Sequence, residues 1–542
     1  MSRIPDPIAD GLARGWKVLD AGDATLPGQL DCDVAIVGTG AGGGITAEIL
    51  ARAGLRVLMI EEGPLRSSRD FDMREATAYP QLYQESAARK TKDKAINVLQ
   101  GRCVGGSTTV NWTSSFRTPT ATLGWWRDHY GLATFTPEAL IPWFEQVERR
   151  LSIGPWLAPP NENNDLLRRG AGKLGMPAPA IRRNVRGCLN LGYCGMGCPV
   201  NAKQSMLVTT VPVALDAGAT LCTRARATRL EIAGARVEGL EIDWLDADGL
   251  RPSGRRTRVR ATHFVLSGGA INSPALLLRS AAPDPNRLTG ARTFLHPTVV
   301  SAAGFEHRVD GFSGAPQTIY SDHFLDGQPV DGPIGYKLEA PPIHPVLYAT
   351  TLHGFGKGHA QRMKEFAHTH ALLALLRDGF HPDAAGGRVE LRSDGSPVLD
   401  YPLTGFVFDG VRRALLSMAQ IQFEAGARAV HPVHELAGAY RSWPDARAAI
   451  AALPMKPLLT RIVSAHVMGG CAIAADAQRG VVGPDGVHWQ LANLSVHDGS
   501  IFPTSIGANP QLSIYGITAR LASGLANRLT GRPAPGLAVA AA

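Results

Sequence analysis

The sequence predicts an α/β protein, α+β overall: a Rossmann-like dinucleotide-binding domain with an inserted domain of sheet plus helices. Three observations carry this. Residues 33–63, DVAIVGTGAGGGITAEILARAGLRVLMIEEG, set strand, glycine turn, helix, second strand and acid in dinucleotide-binding order. A strand, glycine turn and helix recur at 265–280, VLSGGAINSPALLLRS. Between 298 and 460 that pattern is gone, and strand-like runs mix with a long apolar helix candidate. At 542 residues the chain exceeds one simple core, so two closely associated domains are expected.

In the opening unit, Val34–Val37 form the short apolar run of a buried parallel strand. Gly38 permits the tight turn, Gly40 lets backbone approach a pyrophosphate, and Gly43 lets helix and strand pack closely. Ile45, Ile49, Leu50 and Ala53 then share a helical face, which Gly54 stops. Residues 56–60 read as the second strand, and Glu61 at its end can accept from an adenosine ribose. Phosphates belong on the helix N-terminus, where free N–H groups and the dipole favour anions. The unit serves NAD and FAD alike, because both carry adenosine diphosphate.

The net charge of +8 is spread, mostly as arginine, with no aromatic-interleaved basic stripe. A solvated surface is expected rather than a nucleic-acid site. No apolar run reaches the roughly 18 residues of a membrane span, and the N-terminus lacks an apolar signal core or twin arginine. A cytoplasmic chain is therefore expected, with export in the folded state alongside a partner subunit left open. Three of the seven cysteines cluster and four are scattered, which is no disulfide framework.

Residues 1–30 read as a polar lead-in and 64–100 as a polar excursion from the core. In residues 101–112, GRCVGGSTTVNW, Gly101, Gly105, Gly106, Ser107 and Thr108 make a loop rich in N–H and hydroxyl donors, suited to a further portion of the cofactor. Together with the opening unit, G-R-x-x-G-G-S-T-x-x-N, ending at Asn111, resembles the glucose–methanol–choline (GMC) family of flavin oxidoreductases. The resemblance recurs along nearly the whole chain and implies the GMC fold with FAD as cofactor. In covalent members a histidine precedes the loop asparagine; here Val110 stands there, so FAD is expected to be held non-covalently.

Residues 120–180 are expected to be helical. In residues 187–205, GCLNLGYCGMGCPVNAKQS, Cys188, Cys194 and Cys198 form C-x5-C-x3-C among glycines. Three thiolates can hold iron and sulfide, and zinc would want a fourth ligand nearby; three buried free thiols are the other reading. The spacing resembles the membrane-anchored glucose dehydrogenase branch, which implies a [3Fe-4S] cluster passing electrons towards a partner. It also resembles the cysteine-rich stretch of long-chain alcohol oxidases.

Residues 206–262 alternate helix and strand, and the resemblance implies backbone contact with adenine at Ala227. The second family signature is approached at 265–280, but this chain ends it Ser280-Ala281-Ala282. His296-Pro297 matches the family's His-Pro at the domain crossover, with a structural role expected for the histidine. His353, His359, His368 and His370 fall in the inserted segment as surface or packing residues, and residues 356–379 as the long helix candidate.

Near the C-terminus, 465–473 and 494–521 resemble the family's H-x-x-G-x-C and its paired His/Asn position, which implies His466 and Asn509 as the catalytic pair. Gly470 and Ile473 depart from the common Thr and Met. Histidine suits proton handling near neutrality, and an asparagine can hold the substrate oxygen. The resemblance further implies that Asp498 and Gly499 close the flavin site and that Pro510 and Gln511 start a helix facing the ring, where its dipole favours an anionic reduced form.

The resulting expectation is a FAD-binding domain from residues 28–120, 200–300 and 462–530, a linking or lid segment at 121–199 with the cysteines, and a substrate domain at 301–461. An alcohol, more hydrophobic than sugar-like, is oxidised to a carbonyl. Electrons pass to a partner protein or quinone through the cluster, or to oxygen, giving hydrogen peroxide. A flavin-dependent lyase and a non-catalytic electron-relay subunit are the rivals.

Overall fold

Val34, Ala35 and Ile36 have no exposed surface, and their strand is central to the first sheet. In the computed structural model, which describes residues 4–352 and 354–538, Gln29–Val37 lies between Val57–Ile60 and Pro252–Leu266, parallel to both. Thr220–Thr223 and then Lys17–Asp20 extend the parallel side. Arg236–Leu245 and Ala225–Ala233 complete the other side as an antiparallel meander. Leu494–Val496 returns from the far end of the chain to pair with Phe264–Leu266. The helix Ala41–Arg52 crosses between the two central strands, ending at Ala53, with Gly54 at φ +86.

A second sheet orders Tyr320–Ser321, Tyr336–Glu339, Thr369–Leu376, Thr298–Gly304, Ile462–Ser464 and Ile96–Val98. Ala429–Pro432 also pairs with Thr298–Gly304. The 20-residue helix Gly405–Glu424 buries Val407, Val411, Leu415 and Met418 in the same core. A small third sheet, built from Pro397–Asp400, Gly387–Leu391, Ala291–Phe294 and Met468–Gly469, joins the two halves. Two strand-to-strand crossings, through His296 and through His466, therefore run side by side between the second and third sheets.

Several expectations change. Residues 356–379 are not one helix: Gly356–Lys364 is helical, but Thr369–Leu376 is a strand with all eight residues buried. A continuous apolar run does not reveal its period, and burial on both faces lets the run serve as a strand. His370 is in that strand, His368 meets the carbonyl of His307, and His359 meets that of Ala349. His353 lies outside the described residues. The lead-in contributes the edge strand Lys17–Asp20. The excursion contributes the helix Glu75–Leu82 and the buried ends of Ile96–Val98, which pairs with Ile462–Ser464. Helices at Thr120–Tyr130, Pro137–Arg150 and Glu162–Lys173 match the reading of 120–180.

Candidate active site

A cavity of about 740 Å³ lies where these elements meet. Gly38, Gly40 and Glu61 of the opening unit line one end. Gly38 has φ +97, and a Cβ there would sit 2.3 Å from the carbonyl oxygen of Ser267. Gly43 is off the wall: its Cβ would lie 2.0 Å from the Gly38 oxygen, so it serves helix–strand contact. Gly101, Gly106, Ser107, Thr108 and Asn111 form the facing wall. The two glycine loops touch, since a Cβ on Gly106 would come within 2.8 Å of Gly40 Cα. There the two loops present bare backbone to the cavity, with no space for a side chain on Gly106, so the residues present fit a dinucleotide.

Gly105 does not line the cavity; its N–H donates to Thr39 Oγ1 at 3.0 Å. Thr39 in turn donates N–H (3.1 Å) and hydroxyl (2.6 Å) to Glu61 Oε2, and Gly63 N–H reaches Oε1 at 2.9 Å. Glu61 thus spends most of its accepting capacity joining the loops, with about one of four lone pairs left for a ribose. Burial raises its pKa. Sequence reading missed Thr39; its place between Gly38 and Gly40 was the available signal.

Ala227 lines the cavity on the meander side. At the C-terminal side Asp498 accepts from Gly269 N–H (2.8 Å) and Ser273 hydroxyl (2.6 Å) on one oxygen, and from Ser500 N–H (2.8 Å) on the other. It ties the second glycine turn to the loop carrying Gly499, which also lines the cavity. Pro510 precedes the helix Gln511–Thr530. Gln511 accepts from Asn111 Nδ2 at 2.6 Å and donates to Ser114 O at 2.8 Å, so both amides brace the wall.

His466 and Asn509 line this same cavity. Ser464 Oγ receives the His466 N–H at 3.1 Å and donates to Leu295 O. Burial, with Lys337 adding a smaller push, brings the His466 pKa down to about 4. Asn509 Nδ2 donates to Glu339 Oε2 at 3.3 Å. Burial pushes Glu339 up to about 7, against the opposing charge of Lys337. Lys337 pairs with Asp322 at 2.8 Å and sits 3.6 Å from the Phe116 ring centre. Two charged residues in the buried strand Tyr336–Glu339 were the signal for this network, which sequence reading did not use.

His296, expected in a structural role, packs directly behind His466 and does not line the cavity. Its Nδ1 lies 3.3 Å from His466 Nδ1, and its Nε2 accepts the Gly507 N–H at 3.0 Å. The expectation that Cys188, Cys194 and Cys198 hold a cluster changes. Among the described residues, no three His, Cys, Asp or Glu side chains are placed to hold a metal ion, and the three thiols are free. A cation organises this segment instead: buried Lys203 donates to Cys194 O (2.6 Å), Thr109 O (2.6 Å) and Asn111 O (2.9 Å). It clamps the cysteine loop to the back of the cavity wall.

Among the described residues, no helix is long and apolar enough to cross a membrane. Two family models, each described as GMC oxidoreductase, match residues 79–298 and 382–518. A long-chain-alcohol oxidase of Arabidopsis thaliana, FAO1, is 27% identical over 91% of this chain and 67% of its own length. An uncharacterised GMC-type oxidoreductase of Mycobacterium tuberculosis, Rv0492c, is 30% identical over 94% of this chain and 78% of its own. Among solved structures, formate oxidase of Aspergillus oryzae has a TM-score of 0.68 at 14% identity, covering 93% of this chain and 99% of that one. Pyridoxine 4-oxidase has a TM-score of 0.66 at 20% identity, covering 91% and 98%. With the paired sheets, the glycine cradle and two matching models spanning most of its length, the chain belongs to the GMC oxidoreductase family.

Proposed function

We propose that this protein oxidises a hydrophobic alcohol to its aldehyde or ketone with non-covalent FAD, and that oxygen is the electron acceptor. The observation that carries the reading is one continuous cavity, with the Gly40–Gly106 cradle at one place and His466 and Asn509 at another. Bound there, FAD would take a hydride from the alcohol carbon and pass the electron pair to oxygen. The glycine loops hold the nucleotide, Glu61 offers its remaining lone pair to the ribose, and Asp498 keeps the closing loop against the second glycine turn. His466 meets the substrate hydroxyl and handles its proton, while Asn509, braced by Glu339, positions the oxygen.

Val110, in the place where covalent members have histidine, supports dissociable flavin. The alcohol class draws support from the long-chain-alcohol oxidase similarity and from the apolar residues Val467, Ala465, Val110 and Trp112 on the cavity wall. Oxygen as acceptor draws support from the same relative, a long-chain-alcohol oxidase.

The test is anaerobic flavin bleaching with a panel of aliphatic, aromatic and sugar alcohols, followed by oxygen uptake and peroxide release. Bleaching by apolar primary alcohols with stoichiometric peroxide supports the reading. Bleaching that only a quinone reverses would replace the acceptor, and protein that takes up no flavin would end the proposal.

A further inference from the structure

We propose that His296 is a positioning residue that fixes the tautomer of His466, so that the resting ring presents an N–H, at Nε2, to the substrate. A neutral imidazole has one protonated and one bare nitrogen. The Gly507 N–H points at His296 Nε2 from 3.0 Å, so that nitrogen is bare. The proton of neutral His296 is therefore on Nδ1, and it can only donate to His466 Nδ1, 3.3 Å away. His466 Nδ1 is then the acceptor, and its own proton is on Nε2. With Nδ1 engaged by His296, Nε2 is the ring nitrogen left for the cavity that His466 lines.

The backbone supports the assignment. His296 has φ +46, a conformation a histidine adopts at a cost. Asp378 holds it there, accepting N–H groups from Leu295 (3.0 Å) and His296 (3.1 Å) and the hydroxyl of Tyr401 (2.7 Å). The charged and titratable groups around the pair are Lys337, Arg377 and Asp378, with Glu339 behind Asn509. Burial and Lys337 favour the neutral form of both rings, with Arg377 adding to this at His296.

The meaning for catalysis rests on the alcohol-oxidation reading, whereas the tautomer does not. At rest His466 donates to the alcohol oxygen. A bare Nε2, ready to take the hydroxyl proton, requires both rings to exchange tautomers and the Gly507–His296 bond to break. That bond is worth roughly tenfold in population. Donation into the neutral ring also disfavours its charged form, so removing His296 raises the pKa of His466 by up to about one pH unit.

The test labels histidine with nitrogen-15 in the holoenzyme and in flavin-free protein, with His466→Gln assigning the signal. In the unsubstituted protein His466 is expected to show a protonated Nε2 and a bare Nδ1. His296→Leu mixes the tautomers and moves the titration of His466 up, and with it the midpoint of flavin reduction against pH. His296→Gln, whose amide can donate to Nδ1, restores both. A protonated Nδ1 on His466 in the unsubstituted protein overturns the proposal without any variant. So does His296→Leu that is folded with tautomer and midpoint unchanged. If no alcohol bleaches the flavin, the functional reading fails while the nitrogen-15 result still decides the tautomer.

Discussion

Gly106→Ala tests whether the two glycine loops clasp the nucleotide. Gly106 has φ +53 and ψ −143, a region open almost to glycine alone. Placing alanine there costs about 1–3 kcal/mol. The new methyl would also meet Gly40 Cα at 2.8 Å, a backbone atom that cannot rotate aside. The loop can relax by opening, and binding must then close it again. The strain therefore appears as weaker flavin affinity, by about 5- to 150-fold. Flavin stripped from the protein and titrated back, followed by fluorescence quenching, measures this directly. Gly124→Ala is the control: it lies in the helix Thr120–Tyr130 with nothing within 4 Å of a new Cβ, so affinity stays unchanged. If Gly106→Ala is folded and binds flavin as tightly as the parent, the loops do not form the phosphate site and the placement of the cofactor is wrong.

His466→Ala is expected to slow anaerobic flavin reduction by about 10²–10⁴-fold while leaving flavin content unchanged; an unchanged rate removes His466 from the chemistry. Glu339→Gln makes a signed pH prediction. Burial raises Glu339 from 4.5 to about 7 in the fold, so ionisation opposes folding. Below the unfolded value both states are protonated and nothing is lost; the penalty grows as pH rises and is complete above about 7, at ~3 kcal/mol. In urea unfolding, the Gln variant should therefore gain on the parent at pH 8 and lose that advantage towards pH 4.5; a pH-independent difference contradicts the burial argument. Arg150→Met should destabilise by about 3–5 kcal/mol, because it leaves the fully buried Glu48 carboxylate without the guanidinium 2.9 Å away. A loss under 1 kcal/mol in the same assay would mean that Glu48 takes up a proton instead.

The opening unit was legible because its information is local. Turn, helix face and following strand are each decided within a few residues, and Gly38 and Gly43 carry φ or contact demands that few other residues meet. The strands Lys17–Asp20 and Ile96–Val98 were not legible, since their partners Thr220–Thr223 and Ile462–Ser464 come hundreds of residues later. Thr369–Leu376 failed for another reason: a run apolar at every position has no period to read. His466 and Asn509 could be named from a resemblance, but the contacts around them could not. His296, Glu339 and Lys337 reach His466 and Asn509 only through sheet pairing. The sequence trace of Glu339 and Lys337 is their charge in a stretch that burial should have made apolar, and that of His296 is its His-Pro match, which marked the residue but not its contact with His466. For the cysteine triplet the sequence left a cluster and free thiols both open, and it gave no sign that buried Lys203 binds the backbone carbonyls around it.

The electrostatics around His466 bear on what the site accepts. Burial favours the uncharged forms of His466, His296, Glu339 and Asp378 alike. The cation nearby, Lys337, is held by Asp322 and covered by the rings of Phe116 and Tyr320, at 3.6 and 4.1 Å. In such surroundings a single hydroxyl finds partners in one imidazole and one amide. On the proposed reading, a further hydroxyl set against Val467 or Ala465 surrenders its hydrogen bonds to water, at about 1–3 kcal/mol apiece, whereas one that reaches Gln317, Ser114 or Asn111 elsewhere on the wall keeps a partner. Two groups of the first kind already outweigh what a sugar could recover from one shared hydrogen bond. An alkyl chain of the same length gains about 0.8 kcal/mol for each methylene it buries. On the proposed reading, a hydroxyl that falls against the apolar part of the wall counts against a polyol, while an alkyl chain gains there. On the proposed reading, length and branching remain to be discriminated by wall shape, while the hydroxyl's neighbours do no more than fix which carbon faces the flavin.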